Sequence, residues 1–164
     1  EQAVSNGRAG RPQLLLACAL LVGVVFAVFG QTIGFEFVNW DDGLNVYQNP
    51  HLPLTASSLA ELWTRSYFMS YLPVAYTVWG GLAALAHIPG APIPYDPAVF
   101  HLANVLLHAT NALLVLALLR GLTGSLWPAV AGAALFALHP LQVEPVAWVS
   151  GFKDLLATLS LIHI

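Results

Sequence analysis

The chain has 164 residues, of which 58% are hydrophobic and only 8% are charged. Its mean hydropathy of +0.74 lies far above that of soluble domains and predicts an integral membrane protein. The formal net charge of −3 rests on few groups, and no run of Lys and Arg indicates a nucleic-acid partner. Cys18 is the single cysteine of the sequence, which excludes an intrachain disulfide and a cysteine-based metal site.

The first apolar segment, residues 14–33, has no charged side chain and is long enough to cross a bilayer. A basic start followed by an apolar core is also typical of a signal peptide. The core is longer than the roughly 7 to 15 residues of such a peptide, and an Ala-x-Ala cleavage sequence is missing. The segment therefore predicts a retained transmembrane helix.

Residues 34–97 are mixed in composition and hold most of the acidic and aromatic residues, which predicts a large outer loop carrying interfacial helices. Ser58-Leu-Ala-Glu61 has the spacing of a capping box, so we expect a short helix through Leu62, Trp63 and Arg65 that lies on the membrane surface. Residues 71–88 are uncharged and could span on hydropathy alone. Their proline and paired glycines favour a helix that lies in the interface instead.

Residues 98–119 form a second apolar segment and predict a second span. Polar residues within it recur at steps of three, four and three, so at 100° per residue they share an arc of about 80°. Such a stripe must face other helices or a wet cavity, and interhelical hydrogen bonds are its expected role. The stripe consists of His101, Asn104, His108 and Asn111. His101, at the outer end, is also a candidate ligand contact.

A third, short span is predicted at residues 123–139, and the apolar run after residue 154 predicts the start of a fourth. That run ends at residue 164, too early to cross a bilayer. The sequence thus predicts an all-α, polytopic membrane protein, with residues 1–164 as a single truncated transmembrane domain.

The charges predict an orientation in the membrane. If residues 71–88 do not span, every acid except Glu1 falls on one side of the bilayer, opposite Arg8, Arg11 and Arg120. This distribution follows the positive-inside rule. We therefore expect a multi-pass inner-membrane protein with a cytoplasmic N-terminus and acidic loops in the periplasm or outside the cell.

Acids and a cation are expected together at this outer face. An Asp at the centre of a membrane helix costs about 2.5 to 3.5 kcal/mol, so Asp41 and Asp42 belong at the membrane edge. A second outer cluster follows the third span and holds His139, Glu144, Lys153 and Asp154. A carboxylate there could take a proton from a hydroxyl while a cation binds a phosphate.

Structural interpretations of the same residues stay open. Asp41-Asp42-Gly is also an ordinary turn sequence. Glu144 and Lys153 could form an ion pair that closes a loop, and His139 could cap the carbonyl end of its helix. The histidines lack the close paired spacing of a zinc site, so no protein-held metal is predicted.

Three motifs in order carry a family resemblance. They are Phe37-Val-Asn-Trp-Asp-Asp-Gly, His101-Leu-Ala-Asn-Val-Leu-Leu-His, and His139-Pro-Leu-Gln-Val-Glu-Pro-Val-Ala-Trp-Val-Ser-Gly-Phe-Lys-Asp. With them, residues 14–158 resemble the N-terminal membrane region of the transmembrane and tetratricopeptide-repeat O-mannosyltransferase-like proteins, including their bacterial relatives. These proteins belong to the GT-C glycosyltransferase superfamily.

The resemblance implies a GT-C fold and an inverting transfer of a sugar from a polyprenyl-phosphate donor to a hydroxyl of a protein or glycan. It implies a carboxylate base in this motif, with Asp41 as the first candidate and Asp42 as its partner or as the base in its place. Lys153 would bind the donor phosphate, while Glu144 and Asp154 match the third motif. Tetratricopeptide repeats would follow further along the parent protein, so the fragment alone should be inactive.

Two other function classes remain alternatives. In a transporter or flippase, the polar stripe of residues 101–111 would line a pathway and the acids would couple protons, although such acids are expected near the midplane and not in loops. In a membrane anchor for a repeat domain, the acids and Lys153 would be dispensable. The sugar, the acceptor and a requirement for a divalent cation stay open.

Overall fold

A computed structural model of the protein describes residues 10–163, and its regular structure is helical. The helices are α1 (Arg11–Phe29), α2 (Ala56–Thr64), α3 (Pro73–Ala86), α4 (Pro97–Thr123), α5 (Leu126–Leu138), α6 (Val143–Ala147) and α7 (Phe152–His163). Short 3-10 turns follow α1, α5 and α6, and a single π-helical turn covers Gly43–Tyr47. Within residues 10–163 no β-strand forms beyond two isolated bridges, which confirms the all-α prediction.

Two helical segments are long and apolar enough to cross a membrane. They are Arg11–Gly34, with a mean hydropathy of 2.5, and Pro97–Thr123, with 2.0. α5 is too short alone, but with Pro140–Ala147, after a bend of 49°, it can make a third span. The prediction of a membrane protein is therefore confirmed. Arg8, one of the cations counted for orientation, lies outside the described residues.

α4 is the central helix of the bundle, because α1, α5 and α7 all pack against it. Its polar stripe is buried, as predicted, and three of the four side chains bond to other elements. The Asn104 amide donates to the carbonyl of Trp148 over 2.7 Å and the Asn111 amide donates to Leu155 over 2.9 Å, while His108 Nε2 contacts the Ala137 carbonyl at 2.9 Å. Interhelical hydrogen bonding is thus the role of these three.

The predicted outer loop contains α2 and α3. α2 contains Leu62 and Trp63, as expected, and ends at Thr64, so Arg65 is its C-terminal cap. The capping box predicted at Ser58 is wrong, because Thr55 is the capping residue. Thr55 accepts from the Ser58 amide, which makes Ser58 the third helical residue and not the cap. α3 has 14 residues, and at about 1.5 Å per residue it is shorter than a bilayer core of about 30 Å.

Two hydrophobic cores stack along the bundle. One lies among α1, α4, α5 and α7 and is built largely from small and aliphatic residues. The other lies under the outer loop and is aromatic, with Tyr76 and Trp79 of α3 packed near Phe100 of α4 and Phe152 of α7. The aromatic core fixes α3 and the preceding loop against the spanning helices, and the candidate site sits at its edge.

Candidate active site at the edge of the aromatic core

The acidic loop, residues 38–49, is closed on itself by Asp42. This residue directly precedes the π-helical turn Gly43–Tyr47, and its Oδ2 accepts a hydrogen bond of 2.9 Å from the backbone N–H of Val38. A carboxylate that bonds back across four residues holds a short loop in one conformation. The predicted turn is therefore present, and Asp42 is the residue that builds it.

Asp42 also joins this loop to the far end of the chain. Its Oδ1 accepts from the backbone N–H of Ser150 over 3.0 Å and from the Ser150 hydroxyl over 2.6 Å. The carboxylate side chain is completely buried. A buried carboxylate is expensive unless donors satisfy it, and three donors on two oxygens meet that need. Asp42 is thus fully engaged in holding two segments together.

A buried polar network extends from the same point. The Asn45 amide donates to Ser150 Oγ over 3.2 Å, and the Tyr76 hydroxyl donates to Asn45 Oδ1 over 3.1 Å. Burial, with the neighbouring Tyr67 and Asp41, raises the pKa of Tyr76 to about 12. The phenol therefore stays a neutral donor through the physiological range, and α3 is tied to the acidic loop.

Asp41 lies next to Asp42 but in a different environment. Its side chain is half-buried, and within the described residues 10–162 no hydrogen bond or ion pair engages its carboxylate. Its charge is close enough to Tyr76 to help raise the pKa of that phenol. A carboxylate that is held near a buried network and makes no bond of its own is available to accept a proton from a ligand.

Lys153 contacts the turn Val149–Gly151, which contains Ser150. Its Nζ donates to the Ser150 carbonyl over 3.0 Å, lies 5.0 Å from the ring centre of Trp148, and is 4.0 Å from Asp154 Oδ2. The ion pair with Asp154 is long and partly exposed, so it leaves most of the ammonium charge available. The cation and the acidic loop are thus both attached to Ser150.

A groove of about 610 Å³ opens beside Lys153, between the start of α3 and the body of α7. Its lining is mostly aliphatic, with Tyr71, Leu72, Pro73, Leu156, Ala157 and Leu159 among the residues. The α3/α7 groove therefore combines apolar walls with one ammonium group. Such a combination suits a ligand with a long hydrocarbon part and an anionic head.

The remaining predicted site residues are dispersed. Glu144 is exposed in the first turn of α6, and Asp154 is exposed beside Lys153. His139 is exposed and its Nδ1 accepts from the Leu141 N–H, so it caps the following turn. His101 is completely buried against Phe35 with neither ring nitrogen bonded within the described chain, so a ligand cannot touch it in this conformation.

Sequence reasoning did not single out Ser150, Asn45 or Tyr76. Ser150 stood inside the third quoted motif, yet a lone serine carries little signal of its own. Its role depends on the hydrogen bond to Asp42, a residue 108 positions away in the sequence. Among the described side chains, those of residues 10–162, no group of three His, Cys, Asp or Glu lies close enough to hold a metal ion.

Comparisons with known proteins bear on this arrangement. The chain is 31% identical over 157 residues to Protein O-mannosyl-transferase Tmtc2 of Drosophila melanogaster and 29% identical over 161 residues to Protein O-mannosyl-transferase TMTC4 of Homo sapiens. The matches support a relationship to the TMTC O-mannosyl-transferases. Each alignment includes 85% of this chain, but 15% of the fly protein and 21% of the human protein.

The chain therefore spans about a fifth or less of the length of these relatives. A shorter match to Protein O-mannosyl-transferase Tmtc1 of Drosophila melanogaster is 42% identical over 59 residues. No family model matches the chain. No solved structure matches it either.

Proposed function

We propose that this chain is the membrane part of a GT-C glycosyltransferase, which moves a sugar from a polyprenyl-phosphate donor to a hydroxyl with inversion at the anomeric carbon. One observation carries the proposal. The unbonded carboxylate of Asp41 stands on a loop that Asp42 fastens to Ser150, and Ser150 also holds Lys153 beside an apolar groove.

Asp41 would act as the general base. It would take the proton of the acceptor hydroxyl as that oxygen attacks the anomeric carbon, and the bond from the anomeric carbon to the phosphate oxygen would break on the opposite face. A phosphate is already a good leaving group, so a separate acid is not needed. A single available carboxylate therefore suffices for an inverting reaction.

Lys153 would bind the donor phosphate and offset the charge that grows on it as the bond breaks. The groove volume of about 610 Å³ lies in the ordinary range for ligand sites, roughly 300 to 1,000 Å³. Its aliphatic lining would receive the first isoprene units, while the rest of the polyprenyl chain stays in the bilayer. The position of Trp148 beside the ammonium limits where the phosphate can approach.

The names of the relatives make mannose the first sugar to test and a protein hydroxyl the first acceptor, with a glycan hydroxyl as the second. A polyprenyl-phosphate donor and an outward-facing site would place the reaction at the outer surface of the inner membrane. Because the chain covers about a fifth or less of those relatives, the activity is proposed for the full-length parent protein, with tetratricopeptide repeats beyond this region.

The test is transfer by the purified full-length protein from polyprenyl-phosphate mannose, compared with a nucleotide-linked mannose. We expect product from the lipid donor alone. Lys153→Met should raise the donor KM about tenfold or more, because a charge-assisted contact is worth about 1.5 to 3 kcal/mol. Arg65→Met, which removes an exposed cation at the end of α2, should leave the donor KM unchanged.

Two results would contradict the proposal. Transfer from the nucleotide sugar alone would refute the proposal that the donor is lipid-linked. Absence of transfer from both donors, in a folded protein supplied with protein and glycan acceptors, would favour the non-catalytic anchor.

A further inference from the structure

We propose that Ser150 is a positioning residue that sets the distance between the base and the phosphate-binding cation. The inference rests on the proposed function, because Asp41 and Lys153 have those roles only in that reaction. Ser150 itself is completely buried and cannot touch a substrate. Its effect would pass through the groups that it holds.

Ser150 uses different groups to bond to the acidic loop and to Lys153. Its hydroxyl and its N–H both donate to Asp42 Oδ1, at 2.6 Å and 3.0 Å, and so fix the loop that carries Asp41. Its carbonyl accepts from Lys153 Nζ at 3.0 Å. One residue thus bonds to the acidic loop on one side and to the cation on the other.

Ser150 is itself fixed to the spanning helices. It lies in the tight turn Val149–Gly151, where a Cβ on Gly151 would come within 2.7 Å of the Pro145 backbone. The preceding carbonyl, that of Trp148, accepts from the Asn104 amide of α4 over 2.7 Å. The turn therefore has little freedom, and the acidic loop takes its position from α4 through this serine.

This division predicts a separation of kinetic effects. Ser150→Ala removes the hydroxyl but leaves both backbone groups, so the loop loosens while the bond to Lys153 remains. We expect kcat to fall about 10- to 100-fold, since misplacement of a reacting group by about 1 Å can cost that much. The donor KM should change less than about twofold. Lys153→Met should show the opposite pattern, with its main effect on KM.

The experiment compares Ser150→Ala, Asp42→Asn and the double variant in the full-length protein, with rates normalised to folded protein. If Ser150 acts through Asp42, the double variant should lose no more kcat than the worse single variant. Val105→Ala, a buried change in the other core, is the matched control and should keep its kcat per folded molecule. Additive losses, or equal changes in kcat and KM, would overturn the inference.

Amide hydrogen exchange supplies a readout that does not need activity. Ser150→Ala should speed exchange in residues 36–48 by about tenfold or more and leave α4 unchanged, because two of the three hydrogen bonds between Ser150 and the loop are lost, those that its hydroxyl makes with Asp42 and Asn45. Val105→Ala should not do so. Unchanged exchange in residues 36–48 would overturn the positioning role even in a protein that transfers sugar. If exchange is faster but the protein has no transfer activity, Ser150 holds the loop as inferred and the proposed reaction is refuted.

Discussion

Two neighbouring carboxylates have opposite environments in this protein. Asp42 is completely buried and accepts three hydrogen bonds, whereas Asp41 is half-buried and accepts none from residues 10–163. Adjacent residues at the start of a turn point in different directions, so one can face the core while the other faces solvent. The pair therefore divides into a structural acid and a candidate base.

The two acids should differ in their effect on stability. Asp42→Asn should lower the free energy of unfolding by about 1 to 3 kcal/mol, because an amide cannot accept all three bonds and leaves a buried donor unpaired. Asp41→Asn should change it by less than about 0.5 kcal/mol. Thermal or denaturant unfolding in detergent measures both. A larger loss for Asp41→Asn would contradict this assignment of roles.

Tyr76 predicts a loss of stability at alkaline pH. Its pKa is raised to about 12 in the folded state, mainly by burial, against an ordinary value of 10.0 when unfolded. The folded state therefore retains the proton longer, and the stabilisation is complete below pH 10 and lost between about pH 10 and pH 12. The loss should be roughly 3 kcal/mol, because one pKa unit corresponds to about 1.4 kcal/mol.

The measurement is the free energy of unfolding of Tyr76→Phe and wild type from pH 9 to pH 12. The variant should lack this part of the alkaline decline, since phenylalanine does not titrate. Tyr71→Phe, at an exposed position, is the control and should decline like wild type. An equal decline in Tyr76→Phe and wild type would refute the role of this phenol.

The sequence predicted the acid pair as a candidate site, but it could not divide the roles. Charge and the cost of burial in lipid place both acids at a membrane edge, and those are local properties. What separates them is a hydrogen bond to Ser150, which requires the folded chain to bring distant segments together. His101 shows the same limit, because its position on the polar stripe was evident and its cover by Phe35 was not.

Among the elements, the polar stripe of α4 was predicted well, whereas the cap of α2 was not. The stripe of α4 follows from helix period and from the rule that polar groups in a membrane must find partners, so its burial could be anticipated. The start of α2 depended on two competing capping residues. Thr55 prevails over Ser58 because its side chain accepts from the Ser58 amide, a choice that local spacing did not distinguish.

Gly151 predicts a packing requirement between α6 and α7. Gly151→Ala should lower stability by about 1 to 3 kcal/mol, because the new Cβ would lie 2.7 Å from the backbone of Pro145, which cannot rotate away. Gly81→Ala in α3 is the matched control, because no atom lies within 4 Å of its new Cβ. It should leave stability unchanged or raise it, since alanine favours a helix. Equal stabilities of the two variants, measured by thermal unfolding, would contradict the close packing.

At the scale of the whole molecule, the candidate site depends on the chain crossing the membrane at α4. Asp96 caps the start of this helix and Arg120 lies in its last turn, so its two ends carry opposite charge. The positive-inside rule then predicts that the start of α4 and the acidic loop face outward. Hydropathy made the span evident from sequence, while the short α3 needed the structure to set its length at 14 residues.

Cysteine labelling tests this orientation. In a Cys18→Ala background, Ile93→Cys should react with a membrane-impermeant maleimide added outside intact cells, and Leu122→Cys should react only after permeabilisation. Both side chains are exposed and flank α4. Labelling of both positions from the same side would mean that α4 does not span.

The most direct test of the central claim is transfer by Asp41→Asn in the full-length protein at saturating polyprenyl-phosphate mannose. Loss of a general base should lower the rate about 10²- to 10⁴-fold, while donor binding and the unfolding midpoint stay at wild-type values. Glu61→Gln, which removes an exposed acid of α2 outside the acidic loop, should retain the full rate. A wild-type rate for Asp41→Asn would contradict the account, because a general base cannot be lost without slowing the transfer.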